Sequence, residues 1–187
     1  ESLLKRSLDI GADYIATGHY ARVEQLPNGR YAIRNSVTAK KDQTYALYNL
    51  TQEQLSRTLM PVGEYTKEEI RRIAQEAGLP VAHKKDSQEI CFVPDNDYAG
   101  FIEESTGKKL EEGKEFTAKI RYNHPGAVCT LEDLGEGKVK VLFREPQRAV
   151  TPGQAAVLYD DDMVLGGGTI LPEGLASTMT TSQGTNN

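Results

Sequence analysis

The residue best suited to covalent chemistry is Cys91, which lies in the polar run from Lys85 to Phe92. Lys84 and Lys85 stand nearby in the sequence, and neighbouring ammonium groups favour the thiolate, which is the reactive form of cysteine. The alternative is a small buried hydrophobic residue, a role that cysteine often takes. Both interpretations of Cys91 stay open on the residues alone.

The second cysteine, Cys129, alternates in phase with Ala127 and Leu131, so we expect it inside a hydrophobic core. No charged segment followed by an apolar one opens the sequence, and we therefore expect a reducing, cytoplasmic setting in which both cysteines are thiols. The sequence contains neither a C-x-x-C nor an H-x-x-x-H spacing. We accordingly expect no stably bound metal.

The run Thr17-Gly18-His19-Tyr20 directly follows the first predicted strand. Loops at the carboxyl ends of strands bind ligands in α/β sheets, and a glycine there lets a ligand approach the backbone closely. Gly18 and His19 are therefore candidate ligand contacts, although a plain turn explains the same four residues.

Two further segments combine groups that recognise nucleic acid. The run Lys40–Gln43 offers two ammonium groups and an amide, which can hold a phosphate and a base edge. Arg121 and Tyr122 combine a phosphate donor with a ring that can stack on a base. A solvated loop explains the first segment equally well, and ordinary strand alternation explains the second.

Composition limits the other possibilities. The 187 residues carry 22 Lys and Arg against 27 Asp and Glu, a net charge of −5, which excludes a general polycation that coats nucleic acid. No apolar run approaches the roughly 20 residues that span a bilayer, so we expect no membrane partner. Gly166–Gly168 follows a predicted strand and precedes neither Lys-Ser/Thr nor a helix, which indicates a bent strand rather than a phosphate loop.

The elements that position these residues change along the chain. Apolar spacing and turn residues predict α/β character in the first part, with these elements: helix Leu3–Ile10, buried strand Tyr14–Thr17, a hairpin of Ala21–Gln25 and Arg30–Arg34, and helices Thr51–Met60 and Thr66–Ala77. Asn28-Gly29 is expected to supply the positive φ angles of the hairpin turn. Thr66 and Glu69 have the spacing of a capping box, in which each side chain bonds the other residue's N–H.

After Gly113 the hydrophobic period changes to two, which predicts strands. Five short strands are expected, around Phe116–Tyr122, Ala127–Leu134, Lys138–Phe143, Ala155–Tyr159 and Met163–Leu165. Their number and their Gly and Pro turns predict a small antiparallel β-barrel. The predicted organisation is an α/β domain over residues 1–107, a junction at 108–113, a barrel at 114–171 and a disordered tail at 172–187.

Four separated motifs together resemble one family, the bacterial-type tRNA-specific 2-thiouridylases. They are ATGHYAR at 16–22, KDQTYALY at 41–48, KDSQEICFV at 85–93 and EPQRAVTPGQAAVLYDDDMVLGGGTI at 145–170. The resemblance covers residues 1–170, with Ala46 where the family more often has an aromatic residue. It implies an α/β domain of the adenine-nucleotide alpha hydrolase type, part of a pyrophosphatase-loop ATPase, followed by the barrel.

The resemblance implies ATP-dependent thiolation of the wobble uridine of tRNA. ATP, with Mg²⁺, activates the C2 carbonyl by adenylation, and persulfide sulfur from a relay or cysteine desulfurase protein replaces the oxygen. By the same resemblance Cys91 carries the persulfide and pairs as a disulfide with an upstream cysteine when the sulfur leaves, and Gly18 contacts ATP. The implied tRNA contacts are His19, Lys41, Asp42, Gln43, Arg121, Tyr122 and Gln154.

Three features of the family pattern are missing from these 187 residues: the SGGxDS loop that holds ATP, the catalytic cysteine that precedes the first helix, and a long central segment before the barrel. We therefore expect a truncated and inactive version of the enzyme. One alternative is a non-catalytic RNA-binding module. Another is a different ATP-pyrophosphatase acting on a small carboxylate or amide, which would have no use for Cys91 in this context.

Overall fold

The computed structural model describes residues 3–79, 113–135 and 138–172. The chain forms two compact units, which we call the first unit (residues 1–94 and 162–164) and the second unit (residues 95–161 and 165–187).

Several predictions concern residues outside the described ranges. They are the environment of Cys91 beside Lys84 and Lys85, the junction at 108–113 and the disordered tail. The boundary between an α/β domain and a barrel at 107–114 likewise stays a prediction.

The first unit begins with α1 (Leu3–Asp9), which confirms the predicted helix and buries Leu4. Strand β1 (Ile15–Ala16) follows and pairs in parallel with β4 (Thr58–Leu59). The predicted strand is thus present, but its expected burial is wrong, since its first residue is half-buried and its second exposed. Among the described residues β1 has only β4 as a strand neighbour.

The helix predicted over Thr51–Met60 is wrong in its second half. Helix α2 is confined to Gln52–Ser56, because Arg57 leaves helical geometry at φ −117 and ψ 9. The Arg57 carbonyl instead accepts a hydrogen bond of 2.9 Å from the N–H of Ile15. Pairing of β4 with β1 therefore outweighs the helical tendency of the segment.

The predicted hairpin is confirmed as β2 (Ala21–Gln25) and β3 (Tyr31–Asn35), in antiparallel register from Ala21↔Asn35 to Gln25↔Tyr31. Only Gly29, at φ +83, has the left-handed backbone expected of both turn residues. Its N–H donates to the carbonyl of Leu26 at 2.8 Å, so a single glycine is enough to close this longer turn.

Helix α3 (Lys67–Glu76) confirms both the predicted helix and its capping box. The Thr66 N–H donates to Glu69 at 2.7 Å, and Thr66 Oγ1 accepts from the Glu69 N–H at 3.3 Å. The Thr66 N–H and the Thr66 hydroxyl both donate to the Glu69 carboxylate, and these two bonds lower the pKa of Glu69. Gly78, at φ +67, follows the end of the helix.

A short piece of the last strand completes the first unit. Met163 and Val164 pair antiparallel with Arg34 and Ile33 of β3. Asp162, just before them, accepts from Arg22 at 2.9 Å and from Arg34 at 2.5 Å. Arg22 and Arg34 stand directly opposite each other in the hairpin, so this carboxylate separates two cations that would otherwise repel.

The second unit contains the five predicted strands. They are β5 (Phe116–Lys119), β6 (Ala127–Gly135), β7 (Lys138–Phe143), β8 (Ala155–Asp160) and β9 (Met163–Thr169), of which residues 165–169 belong to this unit. They are ordered β9-β8-β5-β6-β7. Among the described residues this order is open, with no pairing that closes β7 onto β9.

The core of the second unit follows the predicted alternation in β5 and around Cys129 in β6. The alternation predicted for β7 is wrong, since every residue after Lys138 is half-buried, and β8 buries three successive residues. Its buried hydrophobic side chains among the described residues are Phe116, Ala118, Ile120, Cys129, Leu131, Val157, Leu158, Tyr159 and Leu165. Cys129 is 1% exposed, which confirms its predicted place in the core. Gly166–Gly168 lies within β9, as the bent-strand interpretation expects, and Gly166 adopts φ +147.

In the described part of the chain, no helix is long and apolar enough to cross a membrane.

Candidate functional site

The first group of candidate residues lies where β1 ends. Because β1 and β4 are parallel, their carboxyl ends meet at the same edge of the two-stranded sheet. Gly18 follows β1 there and is exposed, and a Cβ atom built on it would meet no atom of the described residues within 4 Å. The backbone at Gly18 is therefore open to a ligand, which is the arrangement that α/β sheets use for binding.

Reciprocal hydrogen bonds join this edge to the run Lys40–Gln43, which we call the lysine loop. The backbone N–H of Tyr20 donates to the side-chain oxygen of Gln43 at 2.8 Å, and the backbone N–H of Gln43 donates to the Tyr20 carbonyl at 2.9 Å. Gln43 thus binds Tyr20 through both its side chain and its backbone. The structure thereby brings together two motifs that lie 23 residues apart in the sequence.

Asp42 holds the lysine loop in shape. One of its carboxylate oxygens accepts from the Ser36 N–H at 2.9 Å, and the other accepts from the Thr44 hydroxyl at 2.5 Å and the Thr44 N–H at 3.3 Å. The Thr44 hydroxyl is fully buried and also lies 3.1 Å from Asn35 Oδ1. Both oxygens of Asp42 are therefore engaged inside the protein.

Lys40 and Lys41 are exposed on the short 3₁₀ turn Ala39–Lys41 that this network supports. Since Asp42 and Gln43 anchor the loop on one side, the two lysines lie on its solvent side. The arrangement offers two adjacent positive charges to an anion in solution.

His19 contributes a neutral ring to the same edge. Its Nδ1 lies 3.0 Å from the Thr17 hydroxyl, and burial lowers the pKa of His19 from the ordinary 6.5. At pH 7 the ring can stack or share a hydrogen bond but does not neutralise a phosphate. Because the unfolded state binds this proton more readily, stability from His19 is present above pH 6.5 and is lost as the pH falls below it.

We call Gly18, His19, Lys41, Asp42 and Gln43 the first cluster. All of its members belong to the first unit, at the edge where β1 ends.

The second cluster comprises Arg121, Tyr122 and Gln154, all in the second unit. Arg121 and Tyr122 lie at the tip between β5 and β6, where Tyr122 is 42% exposed although the preceding alternate residues are buried. A tyrosine that leaves the core pattern at a loop tip exposes part of its ring at the surface. This separates Tyr122 from ordinary strand alternation.

Gln154 reaches the same end of the sheet. Strands β5 and β8 are antiparallel, with Lys119 opposite Val157. Arg121 lies just past Lys119 and Gln154 just before Val157, so both leave the sheet at one end. The Gln154 carbonyl also accepts from the Ile170 N–H at 2.8 Å, which fixes its backbone to the end of β9.

The eight described candidates therefore form two clusters, one in each unit, while Cys91 lies outside the described residues. The anchoring role of Asp42 was not anticipated. Its signal is the Asp-x-Thr spacing of Asp42 and Thr44, which is typical of a local side-chain turn. Within the described ranges, no group of three His, Cys, Asp or Glu residues could hold a metal ion.

Two protein-family models match this chain, one over each half. A model described as "tRNA methyl transferase HUP domain" matches residues 1–95, and one described as "Aminomethyltransferase beta-barrel domain" matches residues 102–170. These two domains confirm the predicted class, an α/β domain of the adenine-nucleotide alpha hydrolase type followed by a barrel-type domain.

Three relatives carry the name tRNA-specific 2-thiouridylase MnmA. The protein of Lachnoclostridium phytofermentans is 47% identical over 247 residues, and that of Acetivibrio thermocellus is 41% identical over 247 residues. The protein of Clostridium acetobutylicum is 39% identical over 246 residues. Each comparison covers 91% of this chain and 69% of the relative.

The aligned spans are longer than the 187 residues of this chain, so each relative has internal residues without a counterpart here. The domain descriptions mention methyl transfer, whereas these relatives are named thiouridylases. Identity of 39–47% across both domains is the more specific of the two findings. The chain belongs to the family of tRNA-specific 2-thiouridylases.

Proposed function

We propose that this chain takes part in the ATP-dependent 2-thiolation of the wobble uridine of tRNA. The observation that carries the proposal is the reciprocal pair of hydrogen bonds between Tyr20 and Gln43, at 2.8 and 2.9 Å. It joins an open strand-end site at Gly18 to an exposed pair of lysines. Such a site combines a place for a nucleotide with a place for an RNA phosphate.

In this proposal Lys41 binds the phosphate backbone of tRNA, and His19 contacts the RNA without charge. Gln43 positions the loop through its bonds to Tyr20 and directs the rest of its amide toward the RNA. Asp42 acts mainly by holding the loop, since its oxygens already accept from Ser36 and Thr44.

The second cluster supplies a second RNA contact. Arg121 donates to phosphate, the exposed ring of Tyr122 stacks on an unpaired base, and the Gln154 amide bonds a sugar or a base edge. The target uridine must leave its stack before the C2 carbonyl can react.

Cys91 is proposed to carry the persulfide, delivered by a sulfur-relay or cysteine desulfurase protein. Sulfane sulfur on a thiol of low pKa is a strong nucleophile once it has been transferred. Cys129 cannot serve this role, because it is 1% exposed and burial raises the pKa of its thiol to about 11.

ATP, accompanied by Mg²⁺, fits the described residues only in part. The open backbone at Gly18 could lie against the nucleotide, and ATP supplies the activation of a carbonyl oxygen that is otherwise a poor leaving group. Triphosphate affinity, however, comes from several backbone N–H groups converging on the phosphates. The SGGxDS loop that would provide them in this family does not occur within the 187 residues.

We therefore expect this chain to bind ATP negligibly when it is assayed alone. Isothermal titration calorimetry of the 187-residue chain with ATP and Mg²⁺ should give no measurable heat of binding. The Gly18→Ala variant serves as a control and should give the same trace. A micromolar dissociation constant that Gly18→Ala weakens would show that the described residues form a complete nucleotide site.

Persulfide loading tests the catalytic part of the proposal without requiring ATP. After incubation with a cysteine desulfurase and cysteine, peptide mass spectrometry should find one added sulfur atom on Cys91 and none on Cys129. The Cys91→Ser variant is the matched control. Loading on Cys129, or on neither cysteine, would contradict the assigned role of Cys91.

The competing candidate is a non-catalytic RNA-binding module, which the two exposed clusters would also permit. It predicts tRNA binding without persulfide on Cys91. The 2-thiolation proposal predicts both tRNA binding and persulfide loading, and nucleoside mass spectrometry for 2-thiouridine then reports whether the chain completes the reaction.

A further inference from the structure

A buried histidine lies behind the exposed residues of the second cluster. His124 is 6% exposed, although it belongs to the tip between β5 and β6. Its Nδ1 accepts from the Gly126 N–H at 3.1 Å, and its Nε2 lies 3.2 Å from the side-chain oxygen of Gln147. Since Nδ1 accepts, Nε2 carries the proton and donates to Gln147.

This ring connects two loops that are separate in the sequence. The His124 N–H donates to the Arg121 carbonyl at 3.0 Å and so closes the tip. Gln147, on the other loop, donates its side-chain amide to the Glu145 carbonyl at 2.8 Å. A chain of hydrogen bonds therefore runs from the tip through His124 and Gln147 to the backbone at Glu145.

The same two loops place the guanidinium group of Arg121 against the backbone of Arg148. Arg121 donates from Nη1 to the Arg148 carbonyl at 3.2 Å, and both arginines are exposed. Among the described residues no carboxylate pairs with either of them. Arg144, at the start of the same loop, differs because it is paired with Glu115. Two exposed arginines that meet in this way, without a carboxylate partner among the described residues, can bind an anion.

We propose that Arg148 is an additional phosphate contact for RNA, and that His124 and Gln147 are positioning residues that hold Arg148 beside Arg121 and Tyr122. The inference rests on the proposed function, because it assumes that the partner of the second cluster is RNA. Guanidinium groups bind phosphate bidentately, and the adjacent ring of Tyr122 offers stacking to a base on the same strand. This combination favours single-stranded or looped RNA over a free anion.

The test is a salt titration of tRNA binding to the full 187-residue chain, with thermal unfolding measured in parallel. Arg121→Ala and Arg148→Ala should each weaken binding several-fold and each reduce the salt slope by about 0.7–0.9, the value for one phosphate contact. Arg144→Ala is the matched control and should leave the slope unchanged.

The His124→Asn variant tests whether His124 positions Arg148 or only stabilises the fold. The Asn oxygen can replace Nδ1 as acceptor for Gly126, whereas the bond to Gln147 is lost. We expect near-normal unfolding with a reduced slope and weaker binding, and the same result for Gln147→Met, which keeps the shape but removes the acceptor.

The possible outcomes separate the two proposals. If Arg121→Ala itself has no effect, the RNA assignment of the second cluster fails. If Arg121→Ala weakens binding while Arg148→Ala or His124→Asn matches the unmodified chain, the further inference is overturned and the proposed function stands.

Discussion

Iodoacetamide should modify Cys91 on the order of 100-fold faster than Cys129 in the folded chain, since each unit of thiol pKa above the pH lowers the reactive thiolate tenfold. Cys129 is 1% exposed, and this burial raises the pKa of its thiol to about 11. Cys91 has lysines at positions 84 and 85, which favour its thiolate. Peptide mass spectrometry over a time course measures both rates.

Unfolding provides the control for this comparison. In concentrated denaturant the burial of Cys129 between the strands of the second unit is lost, and the two cysteines should react at rates within a few-fold of each other. Preferential labelling of Cys129 in the folded chain would contradict both its place in the core and the assignment of Cys91 as the reactive thiol.

Gly63→Ala should destabilise the first unit by about 3 kcal/mol or more, the upper range for forcing extra atoms into a packed site. A Cβ atom on Gly63 would lie 1.8 Å from the carbonyl oxygen of Ala21 and 2.5 Å from its carbonyl carbon. Ala21 is fully buried in β2, and the Gly63 carbonyl accepts from Val37 at 3.1 Å. Because the new Cβ atom would collide with a backbone carbonyl, no side-chain rotation can relieve the clash.

Denaturant unfolding of Gly63→Ala beside Gly18→Ala measures this effect. Gly18 also lacks a positive φ, but a Cβ there meets no atom of residues 3–79, 113–135 or 138–172 within 4 Å, so Gly18→Ala should change stability by only a few tenths of a kcal/mol. Equal stability of the two variants would mean that the turn at Pro61–Glu64 does not approach β2 as described.

Local patterns predicted most of the fold because the signals lie within a few residues of one another. The hairpin turn at Gly29, the capping box of Thr66 and Glu69, and the alternation around Cys129 are all of this kind. The helix predicted through Met60 failed at Thr58, where pairing with β1 decides the structure. That partner is more than 40 residues away, and helical periodicity carries no information about it.

The candidate site shows the same difference between local signals, which the sequence reveals, and long-range contacts, which it does not. The motifs identified Lys41, Gln43 and Arg121 as candidates, but only the structure shows that Gln43 anchors the loop on Tyr20. The link from His124 to Gln147 spans 23 residues and has no local signature. Contacts of this kind depend on how the strands pair, and a single sequence does not contain that information in a readable form.

Salt-dependent tRNA binding tests the central claim, that the two clusters bind RNA, most directly. Filter-binding titrations at several salt concentrations should show weak binding that is lost at moderate salt, because only a few basic groups are involved. Lys41→Ala should weaken binding to all tRNAs about equally and reduce the slope by about 0.7–0.9. Tyr122→Ala should cost about 1–3 kcal/mol of stacking with an unchanged slope.

Arg71→Ala, which removes an exposed charge on α3 that belongs to neither cluster, is the control and should behave as the unmodified chain. The account predicts a reduced slope for Lys41→Ala and reduced affinity for Tyr122→Ala in the same set of titrations. If Lys41→Ala leaves both affinity and slope equal to those of Arg71→Ala, the lysine loop is only a solvated turn and the RNA-binding role of the first cluster is refuted.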